Sequence, residues 1–388
     1  MLTPLEALAW LPAAVWIYLL AFRGLFWSPT VRLGPVRAPD RWPSVAIVVP
    51  ARNESDLVVT TLPSLTGQDY PGRVHVFLVD DCSDDSTAEV AVDATAGSPL
   101  PLTVVNGRHR PKGWVGKTWA LHQGVEAATE FAPDYILFTD ADIHHPADSL
   151  RRLVSEATAA ERDLVSLMAR LRTANRWERL IVPAFVYFFS QLYPFRSVAK
   201  RRSHTAAAAG GCVLVRAAAL ERAGSVAAIS DAIIDDVALG RAIKRSGGSI
   251  WLGYADEVSS IRPYPRLTDL WDMVARSAYT QLRYSPAALV GTITALAVIY
   301  VGPVAALLAG AATNDPLTAW AGLSGWALLT ASYLPMIRYY RLPLRWCLTL
   351  PLAATLYGAM TVDSARRHRR GNGAAWKGRA YAGEKITG

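Results

Sequence analysis

Tyr135-Ile136-Leu137-Phe138-Thr139-Asp140-Ala141-Asp142 joins a short apolar run to two carboxylates. The run reads as a strand, and alternation along it puts Asp140 and Asp142 on the same side of its end. Left alone, two such carboxylates repel, and a divalent cation relieves the strain. An Asp-x-Asp pair is weak evidence in isolation, because turns are rich in aspartate. Its weight comes from what precedes it.

Three other segments come earlier in the chain: Val48-Val49-Pro50-Ala51-Arg52-Asn53-Glu54, Val79-Asp80-Asp81-Cys82-Ser83 and Gly116-Lys117. Ser44–Val49, Val74–Val79 and Leu102–Val105 are further apolar runs, with helix-length segments between them. Continuous apolar runs alternating with helices predict an α/β fold, a Rossmann-like, mostly parallel sheet covered on both faces. Carboxylates at the carboxyl ends of such strands converge on the crevice where open α/β sheets bind nucleotides. Oxygen donors there suit a hard divalent cation that also holds a diphosphate. An enzyme is the favoured reading.

Each motif also has a plainer reading. Asp84 and Asp85 are assigned to helix capping, whereas Asp80 and Asp81, at the strand end itself, are placed to accept from a base or ribose. Lys117 opens a helix, where a cation opposes the dipole, so it is expected to serve an anion rather than solvent. Asp235-Asp236 precedes an apolar-patterned helix, and is either a cap or a source of the general base. His144 and His145 follow the Asp-x-Asp pair as a potential third ligand or as ordinary loop histidines.

The 388 residues carry 13 tryptophans and a net charge of +8. Apolar stretches lie at Leu5–Phe26, Ala287–Ala311 and Leu317–Ile337, each long enough to cross ~30 Å of hydrocarbon. Leu348–Val362 is shorter and contains Pro351. The first stretch lacks a basic start and a cleavage site, so it is expected to remain as an anchor. Arginines crowd the membrane-proximal segments (Arg32, Arg37, Arg41; Arg338, Arg341, Arg345; Arg366, Arg367, Arg369, Arg370). They read as a membrane signal rather than a nucleic-acid signal, and by the positive-inside rule the central domain is expected to face the cytoplasm. Three full crossings after that domain would put the basic tail outside, so Leu348–Val362 is expected to be re-entrant or interfacial. Cys82, Cys212 and Cys347 fit unpaired thiols. The expected plan is anchor and linker over 1–42, a catalytic domain over 43–286, membrane segments over 287–365 and a basic tail over 366–388. Ile181–Phe195, aromatic and too short to span, reads as a helix laid on the bilayer, with a buried core helix as the alternative.

Over about Ser44 to Ser285 the motif order resembles a family 2 glycosyltransferase of GT-A fold: Val-Val-Pro-Ala-Arg-Asn-Glu, Val-Asp-Asp-x-Ser, Gly-Lys-x-x-Ala-Leu, Asp-Ala-Asp, then the acidic pair. The resemblance implies inverting transfer from a nucleotide-sugar, usually a UDP-sugar, with Mg²⁺ or Mn²⁺. It implies nucleotide-sugar contacts from Pro50, Arg52, Glu54, Asp80, Asp81, Lys117, Asp140, Arg283 and Tyr284. Asp140 and Asp142 would hold the metal, and Asp236, with Asp235 beside it, would be the base. Two features depart from the pattern: the usual Glu-Asp pair is Asp235-Asp236, and Gln-x-x-Arg-Trp survives only as Gln281-Leu282-Arg283-Tyr284, with Gln281 one residue too close. Gly113-Trp114-x-Gly116-Lys117-x-Trp119-Ala120 and the tail Trp376-Lys377-Gly378-Arg379-x-Tyr381 look closest to hopanoid-associated members. The acceptor so implied is a hydroxyl of a membrane lipid, a hopanoid or related isoprenoid. Ceramide-like, carotenoid or polyprenyl phosphate acceptors, a processive polysaccharide synthase and a non-catalytic lipid- or nucleotide-binding scaffold are the alternatives.

Overall fold

The computed structural model describes Pro4–Gly371, with Ala375–Trp376 and Arg379–Ala380. The chain divides into two units. One is the α/β unit, formed by the described residues of Thr30–Arg172, Ser197–Pro263 and Ala375–Gly388; the other is helical, formed by those of Met1–Pro29, Thr173–Arg196 and Tyr264–Ala374.

The α/β unit holds an eight-stranded sheet. Its strands are β1 (Val45–Ala51), β2 (Val74–Asp80), β3 (Leu102–Asn106), β4 (Tyr135–Thr139), β5 (Ile143–His144), β6 (Leu164–Arg170), β7 (Cys212–Arg216) and β8 (Ile250–Ser260). They lie in the order β3-β2-β1-β4-β7-β6-β8-β5. The first four run parallel, as do β6 and β8, whereas β7 is antiparallel to both β4 and β6. The apolar runs predicted as strands are β1 to β4. β1 is buried along its whole length because both its faces are covered. Ile47 and Val49 share one apolar cluster with Val58, Leu62 and Leu65 of the Ser55–Thr66 helix. On the other face the Gly116–Ala127 helix comes so near that a Cβ on Gly124 would lie 2.3 Å from Val48 Cγ1. Only a glycine admits that approach, which brings the start of the helix to the strand ends.

Connections leave β1 for β2 and β3 on one side, then return to place β4 on the other. The strand order therefore reverses between β1 and β4, the position at which open α/β sheets bind ligands. The register pairs Ala51 with Asp80, so β1 and β2 end level at this crevice. Val31, Leu33 and Trp42 pack on the α/β core, Tyr254 N donates to Val31 O at 2.8 Å, and Arg32 pairs with Asp256 at 2.7 Å. The expected boundary at residue 42 thus moves back to Pro29, and Arg32 has a partner within the protein.

The helical unit corrects other expectations. Residues 173–196 and 264–286, expected within the 43–286 domain, belong to this unit rather than to the α/β unit. The stretch read as a helix on the bilayer is the second part of the Arg176–Leu192 helix, most of which is buried within this unit. Asn175 caps it, accepting from Trp177 N and Glu178 N at 2.9 and 3.0 Å, and Tyr187 Oη meets Ser332 Oγ at 2.6 Å. Its aromatic rings stack on protein: Tyr187 meets Phe26 and Tyr333 edge-on. The buried-helix alternative therefore describes it.

Among the described residues, Pro286–Thr313 is the one helix long and apolar enough to cross a membrane. It loosens into a π turn at Ala297–Val301, where the Trp16 indole donates to Ile299 O at 2.9 Å. The expected span at Leu5–Phe26 appears as the helix Pro4–Phe22, whose apolar part, Glu6–Phe22, is shorter. That at Leu317–Ile337 appears as Pro316–Tyr339, diluted by Thr318, Ser324, Thr330 and Ser332. Leu348–Val362 runs from a short 3-10 turn into a continuous helix, Leu350–Arg369, with Arg366, Arg367, His368 and Arg369 in its last turn. The tail motif around Trp376 and Tyr381 lies outside the described residues, apart from the backbone of the two short strands Ala375–Trp376 and Arg379–Ala380.

Gly124→Val should lower stability by about 1–3 kcal/mol. An unchanged denaturation midpoint would contradict the close helix–sheet packing.

Candidate active site

Strand alternation ends at Thr139, and the Asp-x-Asp pair lies in the turn that follows. The two carboxylates accordingly meet different partners. Asp140 Oδ1 pairs with Lys117 Nζ at 2.7 Å. Asp142 Oδ2 accepts from Ser260 Oγ at 2.6 Å and lies 3.3 Å from Arg262 Nε. Asp142 is drawn toward the end of β8, where Ile261 N also donates to its carbonyl at 2.9 Å. The end of β4 is pinned as well: Thr139 Oγ1 donates to Gly211 O at 2.8 Å and meets His145 Nε2 at 2.9 Å. His145 is buried, its other ring nitrogen lies 3.3 Å from Ser149 Oγ, and burial beside His144 lowers its pKa to about 3. It braces the strand end as a neutral ring. His144 lies on β5.

Lys117 is the hub. Its ammonium also pairs with Asp235 Oδ2 at 3.2 Å, so it bridges a residue of the β4 turn and one of the Asp235–Arg245 helix. Burial works against its charge, but Asp140, Asp235 and Asp236 outweigh that and hold its pKa above the ordinary lysine value. The Gly116–Ala127 helix that carries it starts on the Ser230 carbonyl, which accepts from Val115 N at 2.8 Å and from Thr118 Oγ1 at 2.6 Å. Burial raises the pKa of Asp140; Lys117 opposes the rise and Asp142 and Asp235 reinforce it.

Asp236 sits on the other side of the hub. Its Oδ2 accepts from Gly210 N at 2.8 Å and its Oδ1 from Val237 N at 2.7 Å. A Cβ on Gly240 would lie 2.9 Å from Ala207 C, so the glycine lets this helix press against the Ala206–Ala209 run and bring Asp236 to Gly210. Burial, then the neighbouring Asp235, push the Asp236 carboxyl up to about 7, against the pull of Lys117 and the two N–H donors. No side chain caps this helix. Lys117, Asp140, Asp235 and Asp236 line one small pocket with Gly210 and Thr139.

At the neighbouring strand ends, Asp80 Oδ1 accepts from Ser83 N at 3.2 Å, and Asp81 is buried with its N–H on Ala51 O at 2.8 Å. Arg52 braces this loop, donating to the carbonyls of Asp81 at 2.7 Å and of Cys82, and pairing with Asp84 at 3.1 Å. Asp85 accepts from Ser55 N and Thr87 N in the first turns of two helices, the capping role expected of it; Asp84 instead serves Arg52. Pro50 lies inside β1, and Glu54 meets Arg262 Nη2 at 2.6 Å. Arg283 and Tyr284 belong to the helical unit, both at positive φ, where Tyr284 stacks on His368 with centroids 4.3 Å apart.

Sequence reading did not single out Arg262, Ser260, Ser230 or Gly210. The Ala206–Ala209 run followed by two glycines was the available signal for a close approach. Nothing local marks Arg262 among the many arginines.

Asp140 and Asp142 are hard oxygen donors of the kind Mg²⁺ and Mn²⁺ take. Among the described residues no three His, Cys, Asp or Glu side chains gather to hold a metal ion. The pair fits an ion that completes its shell with water and substrate phosphates, as Mg²⁺ commonly does.

Residues 46–224 match the family model described as Glycosyl transferase family 2. An N-acetylglucosaminyltransferase of Rhizobium sp. (strain N33) is 29% identical over 139 residues, 35% of this chain and 29% of the relative. A 4,4'-diaponeurosporenoate glycosyltransferase of Staphylococcus haemolyticus (strain JCSC1435) is 34% identical over 102 residues, 26% of this chain and 24% of the relative. The chain thus matches less than a third of the length of either relative. The solved structure of a mannosyltransferase from Pyrobaculum calidifontis in complex with GDP-Man and Mn²⁺ has a TM-score of 0.57 at 21% identity, covering 94% of this chain and 99% of that one. That likeness is one of fold, an α/β GT-A-like architecture.

Lys117→Met should destabilise the protein by roughly 1–3 kcal/mol by leaving carboxylates without their cation, and Asp140→Asn in the same chain should recover part of the loss. Chemical denaturation of the wild type and the two variants checks both.

Proposed function

We propose that this chain, which carries a family 2 glycosyltransferase domain over residues 46–224, transfers one sugar from a nucleotide-sugar to a hydroxyl of a membrane lipid with inversion. The observation that carries the reading is the clustering of Lys117, Asp140, Asp235 and Asp236 at the strand-order reversal, with Asp236 poised near neutrality. A buried base of that pKa suits proton abstraction at physiological pH.

Asp236 takes the proton of the acceptor hydroxyl, whose oxygen then bonds to the anomeric carbon. The bond from that carbon to the diphosphate oxygen breaks, and the nucleoside diphosphate leaves with the electron pair. Lys117, already charged and oriented by Asp140 and Asp235, offsets the negative charge that develops on the departing phosphates. When bound at Asp140 and Asp142, Mg²⁺ or Mn²⁺ would supply Lewis-acid stabilisation to the same leaving group. Asp80, Asp81 and the loop braced by Arg52 form the nucleoside side of the crevice.

A UDP-sugar donor and a hopanoid or related isoprenoid acceptor are the substrates we favour. The apolar helix Pro286–Thr313 supports a lipid acceptor and a bilayer location, and one relative is named for a 4,4'-diaponeurosporenoate substrate. The same reading sets the catalytic domain on the cytoplasmic side of a bacterial inner membrane, with the arginine-rich segments facing inward.

The test uses the full chain in lipid nanodiscs, labelled nucleotide-sugars, Mn²⁺ and a hopanoid-containing lipid extract, with label followed into the organic phase. Asp236→Asn should keep nucleotide-sugar binding and lose transfer by about 10²–10⁴-fold; near-normal turnover would remove Asp236 as the base. Because the base acts only when deprotonated, the transfer rate should fall as pH drops below about 7 and level off above it. Asp142→Ala should abolish the metal dependence of nucleotide binding, and retained dependence would exclude Asp142 as a metal ligand.

A further inference from the structure

Each carboxylate of the Asp-x-Asp pair is matched with its own organic cation, Asp140 with Lys117 and Asp142 with Arg262. Arg262 stands just past the end of β8. Its Nη2 lies 2.6 Å from Glu54 Oε1 and its Nε 3.3 Å from Asp142 Oδ2, so one guanidinium spans the loop after β1 and the turn after β4. The Asp142 and Glu54 side chains are only 13% and 7% exposed, whereas that of Arg262 is 27% exposed and so accessible to a ligand.

We propose that Arg262 is a resident counter-ion that holds Asp142 until a nucleotide diphosphate draws the guanidinium away, so that the divalent ion loads together with the donor. A lone divalent ion must displace a guanidinium from one carboxylate and an ammonium from the other, and among the described residues no group of three His, Cys, Asp or Glu side chains stands ready to fill its shell. A diphosphate changes both terms. Its oxygens match the planar fork of an arginine better than a single carboxylate oxygen does, and they complete the shell of the ion. Arg262 is thus a positioning residue for loading of the donor, and the inference rests on the glycosyl-transfer reading above.

The test is Mn²⁺ binding to the full chain in nanodiscs, read from the electron paramagnetic resonance of free Mn²⁺, first without nucleotide and then with UDP or GDP. Wild-type protein should bind Mn²⁺ weakly alone and more tightly with nucleotide. Arg262→Gln should tighten nucleotide-free Mn²⁺ binding by about tenfold or more, because Asp142 loses its competing positive charge, and the enhancement by nucleotide should shrink. Arg262→Lys should restore the weak nucleotide-free binding, because the positive charge returns, but only part of the response to nucleotide, because the planar fork does not. Glu54→Gln, which leaves the guanidinium to Asp142, should weaken nucleotide-free binding. A purely structural brace predicts the opposite sign for Arg262→Gln, since loosening the site cannot improve it. Unchanged or weaker Mn²⁺ binding by Arg262→Gln, or unchanged binding by Glu54→Gln, overturns the inference. A wild-type Mn²⁺ affinity indifferent to both nucleotides overturns the donor reading instead.

Discussion

Three carboxylates gathered around one ammonium set the terms for this molecule. Asp140 lies far along the chain from the adjacent Asp235 and Asp236, and together the three would repel if only water and backbone faced them. Lys117 makes the gathering tolerable: its ion pairs with Asp140 and Asp235 hold the β4 turn and the Asp235–Arg245 helix to the start of the Gly116–Ala127 helix. The arrangement depends on close backbone packing. Gly124 lets one helix settle on β1 and β2, and Gly240 lets the other settle on the Ala206–Ala209 run. A side chain at either place would clash with the packing that brings these charges together.

The site divides into two halves with different electrostatic tasks. In one half, Lys117 and Arg262 each neutralise one member of the Asp-x-Asp pair, so that these two carboxylates are balanced within the protein. In the other half, Asp236 is kept from ionising easily by burial and by Asp235, the condition our proposal asks of its base. The Ser230 carbonyl joins the halves, because it holds the first turn of the lysine helix from the loop that leads to Asp235. Lys117 therefore reports on both sides at once.

Legibility in the sequence followed how local each signal is. The strands β1, β2 and β4 were readable because a strand buried on both faces is nearly apolar throughout. The edge strand β3 was readable from its short run Leu102–Val105 although it is only partly buried. The acidic residues that end three of the connected segments stood out against those runs. Arg176–Leu192 was misread because its composition suits a bilayer surface as well as a protein interior. Its aromatic rings pack on Phe26 and Tyr333, far away in the chain, and that packing settles the matter. Domain limits failed for the same reason: Thr173–Arg196 and Tyr264–Pro286 sit with the apolar helices because of contacts that no neighbouring residue announces.

From sequence alone came the side chains of the candidate site: hard oxygen donors near strand ends, a lysine at a helix start, an acidic pair before a later helix, and apolar segments at both ends of the chain. These follow from side-chain type and periodicity, which are written residue by residue. Tertiary structure decided the partners. Strand alternation suggested that Asp140 and Asp142 share a face, but the chain turns after Thr139 and sends them to different cations. Arg52 became a loop brace, His145 a neutral wedge behind β4, and Arg262 the partner of Asp142. Charge and hydrogen bonding act over a few ångströms of space, and only the fold sets which residues come that close.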